Sequence, residues 1–567
     1  MRFHSRATGL PAASRTGRSG KAWLLAALLA GLVVVVPVYG LLLEAMKGSA
    51  GLWAHLFSTI LPVALVDTLI LLAGVGCLVA LIGTTTAWMV TAYDFPGRRL
   101  LEWALLLPLA VPTYIIAYAY LDILHPIGSV QGAIRWVLGY ESPRQFRLPD
   151  IRSMTGCIVL FGFVLYPYVY IPTRAMFLTQ SGNLVDAART LGVSRRAIFW
   201  HVALPMARPA VAIGVALALM ETLNDVGAAE FLGVRTMTVS IYTTWITRTD
   251  LPGAAQIALA LLLIVVALVG LERRARRRQR YMTDARRSRK FLATRVAPLR
   301  GMLFFAVGIM PVLLGFVAPF LYLADEAWKR YQFAGLSPRI QDEAVNTIVI
   351  ATVATVVTML LGFVVAYAAR IRPGIQSTVI LRLSVMGYAA PGTVVAIGVL
   401  IVLAGFDRFI DQAALDWFGV STGLLFMGSG AAIIYALTVR FMAISAGGVE
   451  VGLSRISLSL DHASRTLGQS SAGTFRHVHL PLSKTALSAA ALLVFVDCVK
   501  ELPATLLLRP LNVETFATHL YGEAARGTYE EASIAALAIV AVSVLPVILL
   551  SRVGRNQARS LDEASPR

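Results

Sequence analysis

Six residues able to bind a ligand or move a proton stand where such residues are costly. Glu221, Asn224 and Asp225 fall inside the apolar run Ala210 to Leu232, and Asp497, Lys500 and Glu501 fall inside Ala486 to Leu508. Ionisable groups in a membrane-length apolar run are expensive, so a functional role is the default expectation. At helical spacing Glu221 and Asp225 share a face, as do Asp497 and Glu501. Two readings follow. In one, carboxylates and their partners line a polar path and bind a hard cation weakly enough to release it. In the other they form a structural network, with Lys500 neutralising a carboxylate and Asn224 bonding between helices. Cys77, Cys157 and Cys498 lie far apart in apolar runs, without metal or redox spacing, and read as packing residues.

The elements that must hold these groups follow from composition. The 567 residues are 57% hydrophobic and only 14% charged, which excludes a soluble enzyme and points to an all-α polytopic membrane protein. About twelve runs reach spanning length. In the first half they lie near Trp23 to Leu43, Leu69 to Val90, Trp103 to Leu121, Cys157 to Leu178, Ala210 to Leu232 and Ala254 to Leu271. In the second they lie near Met302 to Leu323, Val345 to Ala369, Leu383 to Leu403, Leu424 to Ile444, Ala486 to Leu508 and Ile534 to Leu550.

Arginine placement orients the chain. The net charge of +19 is concentrated in alternate loops, so both termini are expected in the cytoplasm of a bacterial inner membrane, with the first run an uncleaved anchor. Arg135, Arg144, Arg147 and Arg152 are an exception, since they fall on the outside. The expected divisions are a basic N-terminus (1–21), a first transmembrane domain (22–271), a basic cytoplasmic linker (272–300), a second transmembrane domain (301–552) and a cytoplasmic tail (553–567). The linker reads as an anchor on anionic lipid rather than a nucleic-acid site.

The chain also repeats itself. DAARTLGVSRRAIFWHVALP, Asp186 to Pro205, recurs as HASRTLGQSSAGTFRHVHLP, His462 to Pro481, at a constant shift of 276 residues. Pro112 and Pro391, like Gly83 and Gly362, are 279 apart. Two parallel six-helix repeats are the natural reading. Each repeated loop is too polar for lipid, and Gly192 or Gly468 permits a reversal between two short helical pieces. Pro205 or Pro481 can then begin the next span, where its missing N–H costs little. The expected product is a rigid cytoplasmic knob in each half.

At these residues the chain resembles permeases of ATP-binding-cassette importers. The loops are similar to that family's Glu-Ala-Ala, Gly, Leu-Pro signature. Asp186, Ala187, Ala188, Gly192, Leu204 and Pro205 match it in the first copy, with Asp for Glu. The second copy offers Ala463, Arg465, Gly468, Leu480 and Pro481, but His462 holds the acidic position and Asp461 lies one residue earlier. The resemblance implies a coupling helix in each loop, seated on one of two cytoplasmic ATPase copies. It also implies ATP and Mg on that partner rather than on this chain, and an extracytoplasmic solute-binding protein. METLNDVGAAEFLG, Met220 to Gly233, and FVDCVKELPATLLLRP, Phe495 to Pro510, further resemble fused permeases of ferric-iron importers, with thiamine and phosphonate permeases as relatives of similar pattern.

No phosphate-binding Gly-x-x-x-x-Gly-Lys-Ser/Thr, nucleophile elbow or His-Glu-x-x-His occurs in the sequence. An enzyme is not expected. The rival class is a gradient-driven secondary transporter, which also has twelve spans in two halves.

Overall fold

The computed structural model describes residues 13–48, 54, 56–179, 194–279, 293–454 and 456–563. The protein is an all-α polytopic membrane protein. Among the described residues, ten helices are long and apolar enough to cross a membrane, and two bent pairs raise the number to twelve. In the first half the principal helices are α1 (Ala13–Met46), α2 (Leu61–Ala92), α3 (Arg98–Ala104), α4 (Thr113–Ile123), α5 (Ser129–Leu138), α6 (Met154–Leu165), α7 (Pro167–Thr179), α8 (Leu204–Asn224), α9 (Gly227–Phe231), α10 (Met237–Ile246) and α11 (Leu251–Gln279). In the second half come α12 (Pro298–Val312), α13 (Ala318–Ala334), α14 (Pro338–Ile371), α15 (Ile375–Ser384), α16 (Gly392–Phe418), α17 (Ala431–Ser454), α18 (Leu458–Thr466), α19 (Leu480–Val499), α20 (Pro503–Leu508), α21 (Phe516–Arg526) and α22 (Tyr529–Glu563).

Several expected spans are broken, and proline is the cause. The run Trp103 to Leu121 turns by 92° between α3 and α4, where Pro108 and Pro112 remove two backbone donors. The run Cys157 to Leu178 bends by 42° between α6 and α7 at Pro167. The run Leu383 to Leu403 straddles Pro391, so the span there is α16 and starts at Gly392. Wide i+5 turns at Leu56–Ile60, Phe199–Ala203, Leu313–Val317 and Phe475–His479 are each followed two residues on by Pro62, Pro205, Pro319 or Pro481. A proline ring collides with the carbonyl four residues back, and one widened turn relieves the clash without ending the helix. Pro205 and Pro481 therefore continue helices already begun instead of starting new ones.

The halves are interwoven. α1 packs on α14, α15 and α16 of the second half, and α12 and α13 pack on α2, α3, α4 and α6 of the first. Small residues make the seams: a Cβ on Gly40 would lie 2.8 Å from Val402, and one on Gly398 would lie 2.5 Å from the Pro37 carbonyl. Close approach of this kind, rather than a hydrophobic drive, is what lipid-embedded helices use to associate. The Tyr435 hydroxyl donates to the Val33 carbonyl at 2.9 Å, and Tyr322 to Asp122 at 2.7 Å. Within the halves, α2 packs on α7 and α8, while α14 packs on α17 and α19. α11 runs to Gln279 and α12 begins at Pro298. Between them a two-residue strand, β2 (Thr294–Arg295), pairs in parallel with β1 (Tyr93–Asp94).

Candidate functional site

Both polar clusters sit at helix breaks. α8 ends at Asn224 and α9 begins at Gly227; α19 ends at Val499 and α20 begins at Pro503. Glu221 to Asp225 and Asp497 to Glu501 are therefore at helix C-termini, not at the middle of continuous helices as their runs suggested. A break strands backbone donors, and the acidic residues satisfy them. Asp225 accepts from the Ala228 N–H at 2.8 Å and from the Thr113 hydroxyl. Glu501 accepts from the N–H groups of Ala504 (2.8 Å) and Thr505 (3.0 Å) and from the Thr505 hydroxyl (2.8 Å). Each carboxylate caps the short helix after its own break.

The two caps are neutralised differently. Glu501 is paired with Arg440 of α17 at 2.7 Å, both side chains being at least nine-tenths buried. A Cβ on Gly392 would lie 2.8 Å from the Glu501 carboxylate and 2.9 Å from the Arg440 guanidinium, so this glycine leaves the space the pair occupies. Position 392 lies 279 residues after Thr113, the residue that bonds Asp225. One cap is thus met by a hydroxyl, the other by a glycine gap and an arginine.

All six sequence-selected residues converge on one cavity of about 90 Å³, together with Tyr114, Tyr168, Tyr388 and Arg440. Lys500 pairs with Asp497 at 2.8 Å, and the Asn224 carbonyl accepts from the Gly392 N–H at 2.9 Å, across the halves. The Tyr114 hydroxyl donates to the Lys500 carbonyl at 3.3 Å, also across the halves. Among the described residues, Glu221 alone of the six has neither a hydrogen bond nor an ion pair for its side chain. Sequence reasoning missed Arg440 because it is a single charge near one end of an expected run; its spacing to nothing else signalled a partner.

The second repeated loop is well defined. α18 reverses at Gly468, whose φ of +80° is the left-handed conformation that glycine adopts freely. A short helical piece, Ser471–Thr474, then leads into the wide turn before α19. The Ser464 and Thr474 hydroxyls bond at 2.8 Å and close the hairpin. Asp461, one residue before the expected acidic position, is the anchor. It pairs with Arg370 at the end of α14 (3.1 Å) and with His479 (2.7 Å), whose other ring nitrogen meets the Tyr367 hydroxyl at 3.1 Å. Burial alone would raise the Asp461 carboxyl, but the hydrogen bonds from His479 and Arg370 hold it below the ordinary range. His462 itself is exposed. Ala463 and Leu467 are exposed on the knob, Leu480 and Pro481 carry the wide turn on into α19, and Arg465 lies on α18. In the first loop, Asp186, Ala187, Ala188 and Gly192 lie outside the described residues, while Leu204 and Pro205 carry the wide turn on into α8.

Comparison with known proteins gives the class. Residues 79–281 match the family described as "Binding-protein-dependent transport system inner membrane component". The chain is 23% identical over 537 residues to the Fe(3+)-transport system permease protein FbpB 2 of Haemophilus influenzae, covering 94% of this chain and 98% of that protein. Over 206 residues it is 29% identical to a putative 2-aminoethylphosphonate transport system permease protein, PhnU, of Salmonella paratyphi A, covering 36% of this chain and 70% of that one. It is also 29% identical over 205 residues to the sulfate transport system permease protein CysT of Salmonella typhimurium, covering 35% and 70%. Residues 79–281 thus carry a permease domain of the ATP-binding-cassette, binding-protein-dependent class. Such permeases are inner-membrane transport proteins rather than enzymes, and they work with an ATPase and a binding protein.

Proposed function

We propose that the chain is the fused permease of a ferric-iron importer, with the cavity between α8, α17 and α19 part of the translocation path. The observation that carries this reading is the charge of that cavity. Glu221, Asp225, Asp497 and Glu501 face it with Arg440 and Lys500, so four negative groups against two positive ones leave two net negative charges. Sulfate or a phosphonate would be repelled there, whereas a hard cation finds carboxylate oxygen ligands. Two ATPase copies would seat on the two knobs, whose exposed Leu467 supplies an apolar contact in the second loop. ATP-driven closure of that pair would bias the permease between inward and outward access, each ligand acting through its unequal affinity for the two states. Both termini would then face the cytoplasm.

Within the cavity the roles divide. Asp225, Glu501 and Asn224 are tied to backbone groups and hold the breaks in shape, so Glu221 and the Asp497–Lys500 pair are the groups free to meet a passing ion. The test is uptake by proteoliposomes holding the permease, its ATPase and its binding protein. ATP-dependent accumulation of radioactive iron, without accumulation of sulfate, thiamine or 2-aminoethylphosphonate, is the expected result. Glu221→Gln should assemble normally, retain ATPase activity and lose at least tenfold in iron uptake. Normal uptake by that variant removes Glu221 from the path, and transport that collapses with the proton gradient overturns the importer class for this chain.

A further inference from the structure

The excursion between α4 and α6 is built inside out. In α5 the two long polar side chains point inward: Gln131 is 2% exposed and Arg135 is 7% exposed. Gln131 donates to the Leu124 carbonyl at 2.7 Å and accepts from the Leu148 N–H at 3.1 Å, and Arg135 donates to the Pro126 carbonyl at 2.9 Å. These bonds consume the polar face on the excursion's own backbone. The apolar face is turned out, with Trp136 83% and Val137 73% exposed beside Ile127 and Leu138. A helix bathed in water would expose the opposite face.

Two further features say what covers it. An apolar crevice of about 360 Å³ lies directly beside the excursion, walled by Tyr120, Leu124, Pro149, Val159, Phe163 and Leu314. Arg144 and Arg147 are exposed on the returning irregular segment, and Arg147 lies 3.6 Å from the carboxylate of Asp150, which also lines the crevice. Apolar face, apolar crevice and exposed guanidinium groups on one segment match an acyl chain with an anionic headgroup.

We propose that residues 124–153 form a lipid-binding element, with α5 lying in the membrane interface and the crevice holding an acyl chain of an anionic phospholipid. The site is at the N-terminal end of α6, on the side where the sequence places arginines against the usual charge rule. Those arginines then serve as headgroup ligands rather than topology signals.

The experiment uses the full-length chain in nanodiscs of phosphatidylglycerol and phosphatidylcholine carrying bromine at defined acyl positions. The difference in fluorescence quenching between the wild type and Trp136→Phe isolates Trp136. Quenching by shallow bromine with protection from aqueous iodide is expected; iodide quenching without bromine quenching overturns the interfacial placement. Protection that arises only on adding the binding protein would assign the face to that partner and equally overturn it. Retained lipid is then counted by native mass spectrometry of the detergent-purified chain. Arg147→Gln should lower phosphatidylglycerol retention about fivefold and leave phosphatidylcholine unchanged. Val159→Phe, which fills the crevice, should lower retention of both lipids. Equal retention in both variants, with unchanged elution and helicity, overturns the acyl site.

Discussion

At the scale of single residues, the cavity separates groups that hold shape from groups free to act. Glu501 uses its carboxylate four times, on two backbone donors, a hydroxyl and Arg440. Removing one partner of a buried ion pair leaves an uncompensated charge and costs on the order of 3–5 kcal/mol. Glu501→Gln is therefore expected to lower the yield of folded permease, measured by monodisperse recovery, whereas Glu221→Gln is not. Gly392→Ala should behave like Glu501→Gln, because its Cβ would press on both members of the pair; wild-type recovery would show that the pair shifts without cost. In the second loop Asp461 has a comparable role. Its folded value lies below the ordinary aspartate value of about 3.9, so its contribution is fully present above that value and is lost as pH falls through the lower folded one. Hydrogen exchange in α18 should thus be unaffected by this group from neutral pH to about 4 and accelerate only below. Asp461→Asn should loosen α18 at neutral pH by about 3 kcal/mol; unchanged protection at neutral pH would remove Asp461 as the anchor.

At the scale of elements, the apolar runs were legible because a bilayer imposes a length, and each of the twelve contains helix. Their breaks were not legible for a physical reason. A proline inside an apolar run is compatible with a bend, a widened turn or a helix start, and only packing selects among them: Pro112 accompanies a sharp turn, Pro481 a continuous helix. The six polar residues were legible as a set, since charge in an apolar run is conspicuous, but their division into caps and free groups depended on where the helices end. Arg440 escaped notice for the same reason, because its partner lies 61 residues away on a helix that had to break to reach it. Gly468 was legible outright, and its φ of +80° gives the test at this scale. A β-branched residue there costs about 1–2 kcal/mol and distorts the reversal, so Gly468→Val should leave the permease inserted but release the ATPase on purification and abolish uptake. Retention of the ATPase with normal uptake would mean that this knob does not couple the two proteins.

At the scale of the whole molecule, the division into a first domain (22–271) and a second (301–552) describes the chain better than the packing. α1 contributes Ala27, Ala30 and Val34 to the core built by residues 350–508, while Val312 and Leu323 of the second half enter the core of the first. Near its start, α22 also packs Ala532, Ala535 and Ile539 against first-half residues. Covalent continuity through the linker is then less important than the exchanged helices. Cutting the chain within residues 280–292 and co-expressing the pieces should give a complex that co-purifies and transports, since the small-residue seams at Gly40 and Gly398 survive the cut. Removing residues 1–48 from the intact chain should be far more damaging. It uncovers Gly398, Ile380 and the Tyr435 hydroxyl, which lose α1 as their neighbour. The expected readout is protease sensitivity of α14 to α17 in the truncated chain, restored by co-expressing residues 1–48 as a separate peptide. If the truncated protein instead keeps a protease-resistant second half without that peptide, the halves are self-sufficient bundles and the exchanged helices are only ornament on them.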